Sequence, residues 1–298
     1  MSDEKVILGR RLFFEPRLSV SRSYSCASCH DPSRSFSDGR PLALGATGEA
    51  LPHNAMALVN VAYNISFGWT DARPRSLEAQ MLKPLLNRHP IELGLAGRES
   101  ALCAELGADP SYQRAFAASF PGESGGVTFD QLVKAIAAFE RTLISGGSAF
   151  DRYVYAGEHT AITPEAKRGM ALFYSAEVGC ARCHSGFNFS GNYRDADGAT
   201  GPASFATNGT TKRLMRVPTL RNVALTAPYM HDGRFATLAA VLEHYSAIGA
   251  RTASGAPTDR RLPRAPLSSS ERAALIAFLE SLTDESFVKD NLASRTPP

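Results

Sequence analysis

The sequence predicts a mainly α-helical protein made of two similar halves, with long loops and little β-strand. Apolar residues recur with helical period in several segments, two stretches are rich in loop-forming residues, and one short pattern occurs twice. The chain has 298 residues, of which 44% are hydrophobic and 20% are charged. This length allows one large domain or two ordinary ones, and the composition suits a packed core.

The predicted helices lie between the two copies of the repeated pattern and near the C-terminus. Apolar residues recur there every three or four positions, which places them on one face of a helix. These segments are 76–86, 98–106, 111–120, 129–143, 237–248 and 269–282. The stretch 186–213 is rich in Gly, Asn, Thr and Asp, and 249–266 carries several Pro, Gly and Thr, so both predict loops.

A weak internal repeat relates the two halves. The segments KVILGRRLFFEP and AKRGMALFYSAE each read as a short amphipathic helix with a glycine beside a basic residue, followed by Leu-Phe. Before the second segment, Thr163 is predicted as a helix N-cap, with Pro164 and Glu165 in the first turn. We therefore predict an N-terminal domain over 1–157 and a C-terminal domain over 158–298.

Each half carries a Cys-x-x-Cys-His motif, which is the attachment signature of c-type haem. Two thiols add to the haem vinyl groups, and the adjacent histidine reaches the iron. A four-cysteine zinc site or a redox dithiol would leave both histidines without a role. We predict two cytochrome-c-like domains with two covalent haems, held by Cys26, Cys29, His30, Cys180, Cys183 and His184. The fifth cysteine, Cys103, is predicted to be a buried, inert thiol.

Charge and hydropathy exclude several other classes of protein. The formal net charge is only +3 and no long Lys/Arg run is present, so we predict no nucleic-acid partner. No apolar stretch approaches the ~20 residues of a membrane-spanning helix, so we predict no membrane partner. The first residues contain no signal-peptide core. Because c-type haem is attached outside the bacterial cytoplasm, we expect a periplasmic protein whose export signal is absent from this chain.

The string RVPTLRNVALTAPYMHDGR, at 216–234, is the most specific in the chain. It closely resembles the corresponding stretch of the bacterial di-haem cytochrome c peroxidases and their MauG relatives. The order of the other motifs resembles that family over essentially the whole chain. The resemblance implies H₂O₂ as substrate and a peroxidatic haem in 1–157 with His30 as proximal ligand. It also implies an electron-transfer haem in 158–298, with His184 as proximal ligand.

The stretch SLEAQMLKPLLNRHPIELG resembles the distal segment of that family. Cleavage of peroxide needs a general acid–base over the haem. Gln80 and Pro84 match the Gln and Pro of the family, and the resemblance makes Glu92 the acid–base. Glu92 stands about two residues further from Pro84 than the family pattern has it. Glu78 and His89 remain alternatives.

Many members of the family also place a removable distal histidine over the first haem. The matching position here is Ala46, so we expect an open first haem. His53 lies off that position, and we interpret it as a surface loop residue.

Trp69, the only tryptophan, stands in a stretch that resembles the inter-haem segment of the family. The resemblance implies an electron relay between the haems, whereas a lone tryptophan is otherwise usually a core residue. The family also holds a calcium ion there, whose ligands map to Asn54 and to the backbone carbonyls of Thr226 and Pro228. Oxygen ligands suit Ca²⁺, although the same residues also serve as ordinary turn residues.

The distal ligand of the second haem divides the family. In the peroxidases it is a methionine, fourteen residues after the histidine of the Pro-Tyr-x-His string, and in MauG-type enzymes it is a tyrosine. From His231 this offset leads to Tyr245. At about 100° per residue, Tyr245 also lies near the centre of the apolar face of its helix, and His244 lies roughly 95° away. We predict Tyr245 as the iron ligand. A core tyrosine, or His244 as ligand, are the alternatives.

The ligand type sets which iron state is stable. A thioether favours Fe(II), whereas a phenolate is a hard anion that favours higher iron charge. The resemblance therefore implies that H₂O₂ produces a high-valent bis-Fe(IV) state that oxidises a partner protein. Val178 replaces the surface tryptophan of MauG, and the chain is more similar to the MbnH branch, which converts a tryptophan of the copper protein MbnP to kynurenine.

Two other functions remain open. One is a di-haem cytochrome c peroxidase that reduces H₂O₂ with electrons from a small redox protein. The other is an electron carrier with no substrate. Tyr245 and the missing distal histidine favour the oxidation of a partner protein, and the segment with Gln80 and Glu92 argues against a simple carrier.

Overall fold

The computed structural model describes residues 1–70, 74–123, 125–190, 193–194, 200–201, 204–207, 211–214, 216–253 and 265–293. These residues are mainly helical with little strand, which confirms the predicted fold class. The helices are α1 (Asp3–Phe13), α2 (Cys26–Cys29), α3 (Leu77–Leu86), α4 (Glu99–Ala108), α5 (Pro110–Ser119), α6 (Phe129–Glu140), α7 (Ala149–Tyr155), α8 (Pro164–Tyr174), α9 (Leu238–Ala253), α10 (Ser269–Glu280) and α11 (Glu285–Ala293).

Two short antiparallel ribbons form the strands among the described residues. One pairs β1 (Tyr193–Arg194) with β2 (Thr200–Gly201), and the other pairs β3 (Ser204–Thr207) with β4 (Thr211–Leu214). The strands of these ribbons lie between residues 193 and 214, largely within the stretch 186–213, which was predicted as loop throughout. That prediction is wrong at the strand positions.

Most predicted helices are confirmed, with small shifts at their ends. The helix predicted over 237–248 continues to Ala253, so the loop predicted from residue 249 begins too early. Residues 254–264 of that loop lie outside the described residues. The short helices α7 and α11 were not predicted. At the start of α8, Thr163 is the N-cap as predicted, because its Oγ1 accepts from the Ala166 N–H (3.1 Å) and Pro164 follows it.

The apolar side chains collect in two main cores, which define two lobes. The N-lobe, residues 1–143 and 285–293, contains α1–α6 and α11, and its core runs from Leu8 to Leu143 with Phe287 added. The C-lobe, residues 149–282, contains α7–α10, and its core runs from Phe150 to Leu282. The C-terminal helix therefore packs on the first lobe. The domain division at residue 157 stays a prediction.

The same helix crossing occurs in both lobes. α1 packs on α6 through Gly9, where an added Cβ would overlap the carbonyl oxygen of Ala135. α8 packs on α10 through Gly169, where an added Cβ would overlap the carbonyl oxygen of Ala274. Glycine is needed at both places because the helix backbones touch. The predicted repeat thus corresponds to two equivalent helix pairs.

An asparagine in the left-handed conformation recurs beside each crossing. Asn60 (φ 56°) donates its backbone N–H to the Leu143 carbonyl (2.7 Å), and Asn222 (φ 57°) donates its own to Leu282 (3.1 Å). The side-chain oxygen of each asparagine also accepts a hydrogen bond from a backbone N–H. In both lobes this N–H belongs to the second residue after the one whose carbonyl the asparagine binds. A constant offset of 139 positions therefore relates α6 and the residues after it to α10 and the residues after it. Leu143 corresponds to Leu282, and Ala135 corresponds to Ala274.

Buried amides also join the lobes. The Asn188 side chain of the C-lobe donates to the Asn60 carbonyl (3.0 Å), and the Asn222 side chain donates to the Ser35 hydroxyl of the N-lobe (3.0 Å). Because buried polar groups need partners, these bonds favour one arrangement of the two lobes. Within the described ranges, none of the helices has the length and apolar character needed to cross a membrane.

Candidate active site

The first Cys-x-x-Cys-His motif forms α2 and the residue after it. The Nδ1–H of His30 donates to the Phe36 carbonyl (2.8 Å). A carbonyl can only accept, so the ring lone pair is on Nε2, the arrangement of an oriented metal-binding histidine. Burial lowers the pKa of His30 and so favours the neutral ring that iron ligation needs.

The second motif repeats this arrangement with a different backbone. Gly179 (φ 70°) begins the 3₁₀ turn Cys180–Arg182 in the left-handed conformation. The Nδ1–H of His184 donates to the Phe189 carbonyl (3.0 Å), and burial lowers the pKa of this histidine as well. Both motifs therefore present a neutral imidazole with the same tautomer.

The four motif cysteines are free thiols in the structure. Burial raises the pKa of Cys29 to about 11 and that of Cys180 to about 12, which keeps both thiols neutral in the unmodified chain. Each lobe holds one pair, and among the described residues no group of three or more His, Cys, Asp or Glu side chains could hold a metal ion. The zinc alternative therefore gains no support. Cys103 is buried in α4 with its pKa raised, as an inert thiol requires.

The predicted distal segment forms α3 and the loop after it. Gln80 and Pro84 lie within α3, and the Leu93 N–H donates back to the Pro84 carbonyl (2.8 Å). This bond closes the loop and fixes the position of Glu92. The Oε1 atom of Gln80 is buried without a hydrogen-bond partner. It is thus an acceptor available to an O–H group such as that of peroxide or water.

Glu92 is half-buried and faces the first motif. Its charge contributes to the raised pKa of Cys29, so the two side chains are in electrostatic reach of each other. Burial raises the pKa of Glu92 itself, and Lys83 opposes this only in part. A carboxyl of this kind is suited to gain and lose a proton.

The two alternatives to Glu92 have other environments. Glu78 forms an ion pair with Arg141 (2.8 Å), which lowers the pKa of Glu78 and holds it as a carboxylate. His89 is exposed. Of these three residues, Glu92 is the one whose charge acts on a cysteine of the first motif, so the structure favours Glu92 as the acid–base candidate.

The position expected for a distal histidine is held by Ala46. Its N–H donates to the Glu92 carbonyl (2.7 Å), and an added Cβ on Gly45 would overlap the Ile91 carbonyl oxygen. The segment therefore packs directly on the Glu92 loop. Ala46 is buried and provides no side-chain nitrogen.

Tyr245 of α9 is buried, and it lies within electrostatic range of the second motif. Burial raises the pKa of its phenol to about 12, and Cys180 and Cys183 add to this rise. The ring of His244 packs instead on Phe235, with ring centroids 5.1 Å apart. The geometry thus favours Tyr245 over His244 as the residue above this motif.

Comparison with known proteins decides the family. The sequence model described as "Di-haem cytochrome c peroxidase" matches residues 3–160. The methylamine utilization protein MauG of Methylorubrum extorquens is 38% identical over 292 residues, which cover 96% of this chain and 80% of that protein. The cytochrome c551 peroxidase of Nitrosomonas europaea is 32% identical over 288 residues, which cover 93% of this chain and 79% of that protein.

The chain belongs to the di-haem cytochrome c peroxidase family. It is similar to the crystal structure of a MauG-like protein associated with microbial copper homeostasis, with a TM-score of 0.83 and 32% sequence identity. The match covers 97% of this chain and 91% of the chain in that crystal structure. The protein is thus a peroxide-dependent di-haem oxidoreductase with two haem c groups.

In this di-haem peroxidase, Trp69 lies where the lobes meet. Its Nε1–H donates to the Asn54 carbonyl (2.7 Å), and its own carbonyl accepts from the Arg216 N–H (2.8 Å). The rings of His53 and His231 both lie 6.5 Å from the indole, and their Nδ1 atoms are 3.3 Å apart. The interpretation of His53 as a surface loop residue is therefore wrong: it is half-buried against the tryptophan.

Two of the predicted calcium ligands, Asn54 and Pro228, lie close together near Trp69. The Nδ2–H of Asn54 donates to the Arg40 carbonyl (2.6 Å) and to the Pro228 carbonyl (3.4 Å), and Thr226 follows the 3₁₀ turn, two residues before Pro228. A half-turn of the amide would direct Oδ1 towards these carbonyls. The resulting all-oxygen set fits Ca²⁺, so the residues present are compatible with the ion.

Arg216 was missed as a site residue by the sequence analysis. Its guanidinium is buried, its closest polar contact is the Met56 sulfur (3.8 Å), and it has no carboxylate partner among the described residues. Burial lowers its pKa to about 10. An unpaired buried cation fits a haem propionate. The available signal was its place as the first residue of the string at 216–234.

Proposed function

We propose that this di-haem enzyme uses H₂O₂ to oxidise a partner protein. Cys26, Cys29 and His30 hold the first haem, and Cys180, Cys183 and His184 hold the second, in domains 1–157 and 158–298. When bound, the haems supply the redox chemistry that splits peroxide and stores its oxidising equivalents. The protein groups position peroxide, move its proton and set which iron charge is stable.

At the first haem, Glu92 serves as the general acid–base. Its raised pKa lets the half-buried carboxyl carry a proton near neutral pH, and its loop is anchored to α3 at Pro84. The buried, unpaired Oε1 of Gln80 accepts a hydrogen bond from the incoming O–H group. Ala46 would leave the peroxide-binding side of this haem without a competing imidazole.

The position of Tyr245 carries the functional choice. Its phenol is buried beside Cys180 and Cys183, where burial alone favours the neutral form. To serve as a ligand of a haem iron, this phenol would therefore have to lose its proton, as ligands at other metal sites do. The resulting hard anion would favour higher iron charge, so the enzyme would need no stored reducing electron before it reacts with H₂O₂.

The region between the haems connects the two sites. Trp69 passes electrons from one haem to the other, and its Nε1–H bond to a backbone carbonyl holds the ring in place. A calcium ion held by Asn54, Thr226 and Pro228 stabilises this region. Arg216 neutralises a haem propionate.

The substrate we propose is a tryptophan of a periplasmic, MbnP-like copper protein, with kynurenine as the product. The structural relative associated with copper homeostasis supports this class of partner. The buried Val178, only 5% exposed, distinguishes the chain from enzymes that use an exit tryptophan at this position. A periplasmic location follows from covalent haem attachment.

A second candidate is a cytochrome c peroxidase that receives electrons from a small redox protein. The similarity to the cytochrome c551 peroxidase of Nitrosomonas europaea favours it. The candidates differ in what they require before peroxide is added. A conventional peroxidase must first be half-reduced, whereas the proposed oxidase reacts in its resting ferric state.

The test is addition of one equivalent of H₂O₂ to the ferric protein, followed by near-infrared absorption and Mössbauer spectroscopy. We expect a long-lived state that retains both oxidising equivalents. Tyr245→Met should remove this state and the oxidation of an MbnP-type protein, which mass spectrometry detects as kynurenine.

His244→Ala is the matched control, and it should leave the second-haem spectrum unchanged. A parent protein that reacts only after half-reduction would establish the peroxidase function instead. Retention of the oxidised state in Tyr245→Met would disprove the role of the phenolate.

A further inference from the structure

A row of aromatic rings runs from the second haem motif to the protein surface. Phe189 accepts the hydrogen bond of His184, and its ring lies 5.9 Å from that of Phe173. Phe173 in turn lies 5.3 Å from Tyr174, at the end of α8. Tyr174 is 52% exposed. A phenol at the surface is thus joined by packed rings to Phe189, whose backbone carbonyl binds the histidine of the second haem motif.

The N-lobe contains the same row with one change. Phe36 accepts the hydrogen bond of His30, its ring lies 5.9 Å from Phe13, and Phe13 lies 5.5 Å from Phe14. Phe14 is half-buried and has no hydroxyl. Since the equivalent helix packs with phenylalanine at this place, the fold does not require the hydroxyl of Tyr174.

The surroundings of Tyr174 suit a redox-active phenol. Burial is the main cause of the raised pKa of Tyr174; a second exposed tyrosine, Tyr155, adds to the rise, and Arg221 acts in the opposite direction. Arg221 is fully buried, is held by Asp151 (2.6 Å) and packs over Phe189. The phenol of Tyr174 therefore has fixed, packed side chains on its inner side, and its outer side is exposed to water.

A partner protein is too large to enter a haem pocket, so electrons must cross the protein surface. Val178 is buried, and its aliphatic side chain cannot act as a redox relay. Trp69 is half-buried between the lobes. Tyr63 is also exposed (58%), but its ring contacts Phe187 and is not part of either row.

We propose that Tyr174 is the residue through which electrons from the partner protein enter the C-lobe. This inference rests on the proposed function. The peroxide-oxidised haem pair takes one electron from Tyr174, and the phenol proton passes to water. The tyrosyl radical then takes one electron from the partner side chain and a proton from water. Two such cycles deliver two electrons, and with two protons released at the oxidised partner they reduce one H₂O₂ to two waters. Conversion of a tryptophan to kynurenine and formic acid, with water as the oxygen source, removes four electrons and therefore takes two H₂O₂ and four such cycles.

The test is a spin trap added with one equivalent of H₂O₂ in the absence of partner, followed by peptide mass spectrometry. We expect the adduct on Tyr174 in the parent protein. Tyr174→Phe, which reproduces the N-lobe row, should lose this adduct and lengthen the lifetime of the oxidised state severalfold in stopped-flow absorption.

Two matched variants control the result, with two haems confirmed in each by the pyridine haemochrome spectrum. Phe14→Tyr places a phenol at the equivalent site of the N-lobe and should give no adduct there. Tyr63→Phe removes another exposed phenol and should leave the Tyr174 adduct in place.

The two proposals fail in different ways. If the parent retains both equivalents but the adduct lies elsewhere, or if Tyr174→Phe decays at the parental rate, Tyr174 is not the entry point and the proposed function stands. If the parent retains no equivalents without prior reduction, the absorption record shows that the proposed function is wrong, and this inference is wrong with it.

Discussion

The two lobes share a scaffold and differ in the groups that face their haem motifs. Both have the glycine-mediated crossing, the left-handed asparagine and the bond from histidine to a carbonyl. The N-lobe places a carboxyl, Glu92, near its motif, whereas the C-lobe places a phenol, Tyr245. A carboxyl transfers protons, and a phenolate binds iron as a hard anion. One scaffold can therefore present two different side chains to its two haem motifs, because each of these side chains comes from a separate segment.

A second difference lies inside the helices that the repeat relates. Glu140 of α6 is buried, and the offset of 139 residues pairs it with Leu279 of α10, which is buried as well. Burial raises the pKa of Glu140 to about 8. The scaffold thus accepts an apolar residue at this place, and the carboxyl is particular to the N-lobe.

The largest expected effect is the loss of the haem from one lobe while the other lobe keeps its own. Cys26→Ala with Cys29→Ala should leave a protein with one covalent haem, and so should Cys180→Ala with Cys183→Ala, because each thiol pair anchors its own haem. The pyridine haemochrome assay measures the haem count. A parent protein with fewer than two haems, or one that contains zinc by elemental analysis, would contradict the assignment of both motifs.

The next effect tests the distal carboxyl of the N-lobe. Glu92→Gln keeps the size and removes the titrating proton, so reaction with H₂O₂ should slow by about 10²–10⁴-fold. The resting ferric spectrum should hardly change, because Glu92 is not a ligand. Glu78→Gln is the control, since Glu78 pairs with Arg141. Unchanged stopped-flow rates for Glu92→Gln, with a loss in Glu78→Gln, would move the acid–base role to Glu78.

The helix crossings test whether the lobes are equivalent in stability. Gly9→Ala and Gly169→Ala each place a methyl group on a facing carbonyl, so each should lower the free energy of unfolding by about 1–3 kcal/mol. Gly107→Ala in α4 is the control, because its Cβ would meet Val127 at an ordinary 3.6 Å, and it should be neutral or raise stability by about 1 kcal/mol. Chemical denaturation of the holoprotein measures all three. A cost in one lobe only would break the equivalence.

The last effect depends on pH. Because the pKa of Glu140 is raised from 4.5 to about 8, the unfolded chain ionises first as pH rises, and folded stability falls between these values. Glu140→Leu, which copies Leu279, should remove this loss and stabilise the protein by on the order of 5 kcal/mol at pH 9, with little change at pH 4. Thermal unfolding across this range measures the difference. Parallel pH profiles for variant and parent would show that the pKa of Glu140 is the same in the folded and unfolded states.

Local signals made much of the fold predictable from sequence. Short stretches of sequence predict the cap at Thr163, the apolar faces of α3–α6 and α10, and both haem motifs. Helix α7 was missed because it has only seven residues, and it is held from outside by the ion pair between Asp151 and Arg221, seventy positions away. Its capping box at Ser148 was the one local signal available.

The site was predictable to the extent that it follows a known pattern. Glu92 and Tyr245 stand where the family resemblance and the helical period placed them, and their roles stay predictions. The contact between His53 and His231 could not be predicted, because it joins loops 178 residues apart. The burial of Arg216 and Glu140 depends on packing between segments that no local pattern describes.

Two of the bonds that cross between the lobes near Trp69 are made by the main chain alone. Asn54 N–H donates to the His231 carbonyl (2.8 Å), and Arg216 N–H donates to the Trp69 carbonyl (2.8 Å). Backbone bonds survive any side-chain substitution that preserves the local conformation. These two links between the lobes are therefore independent of the side chains that line the haem pockets. Ligands and acid–base groups can be exchanged on either side without removing them.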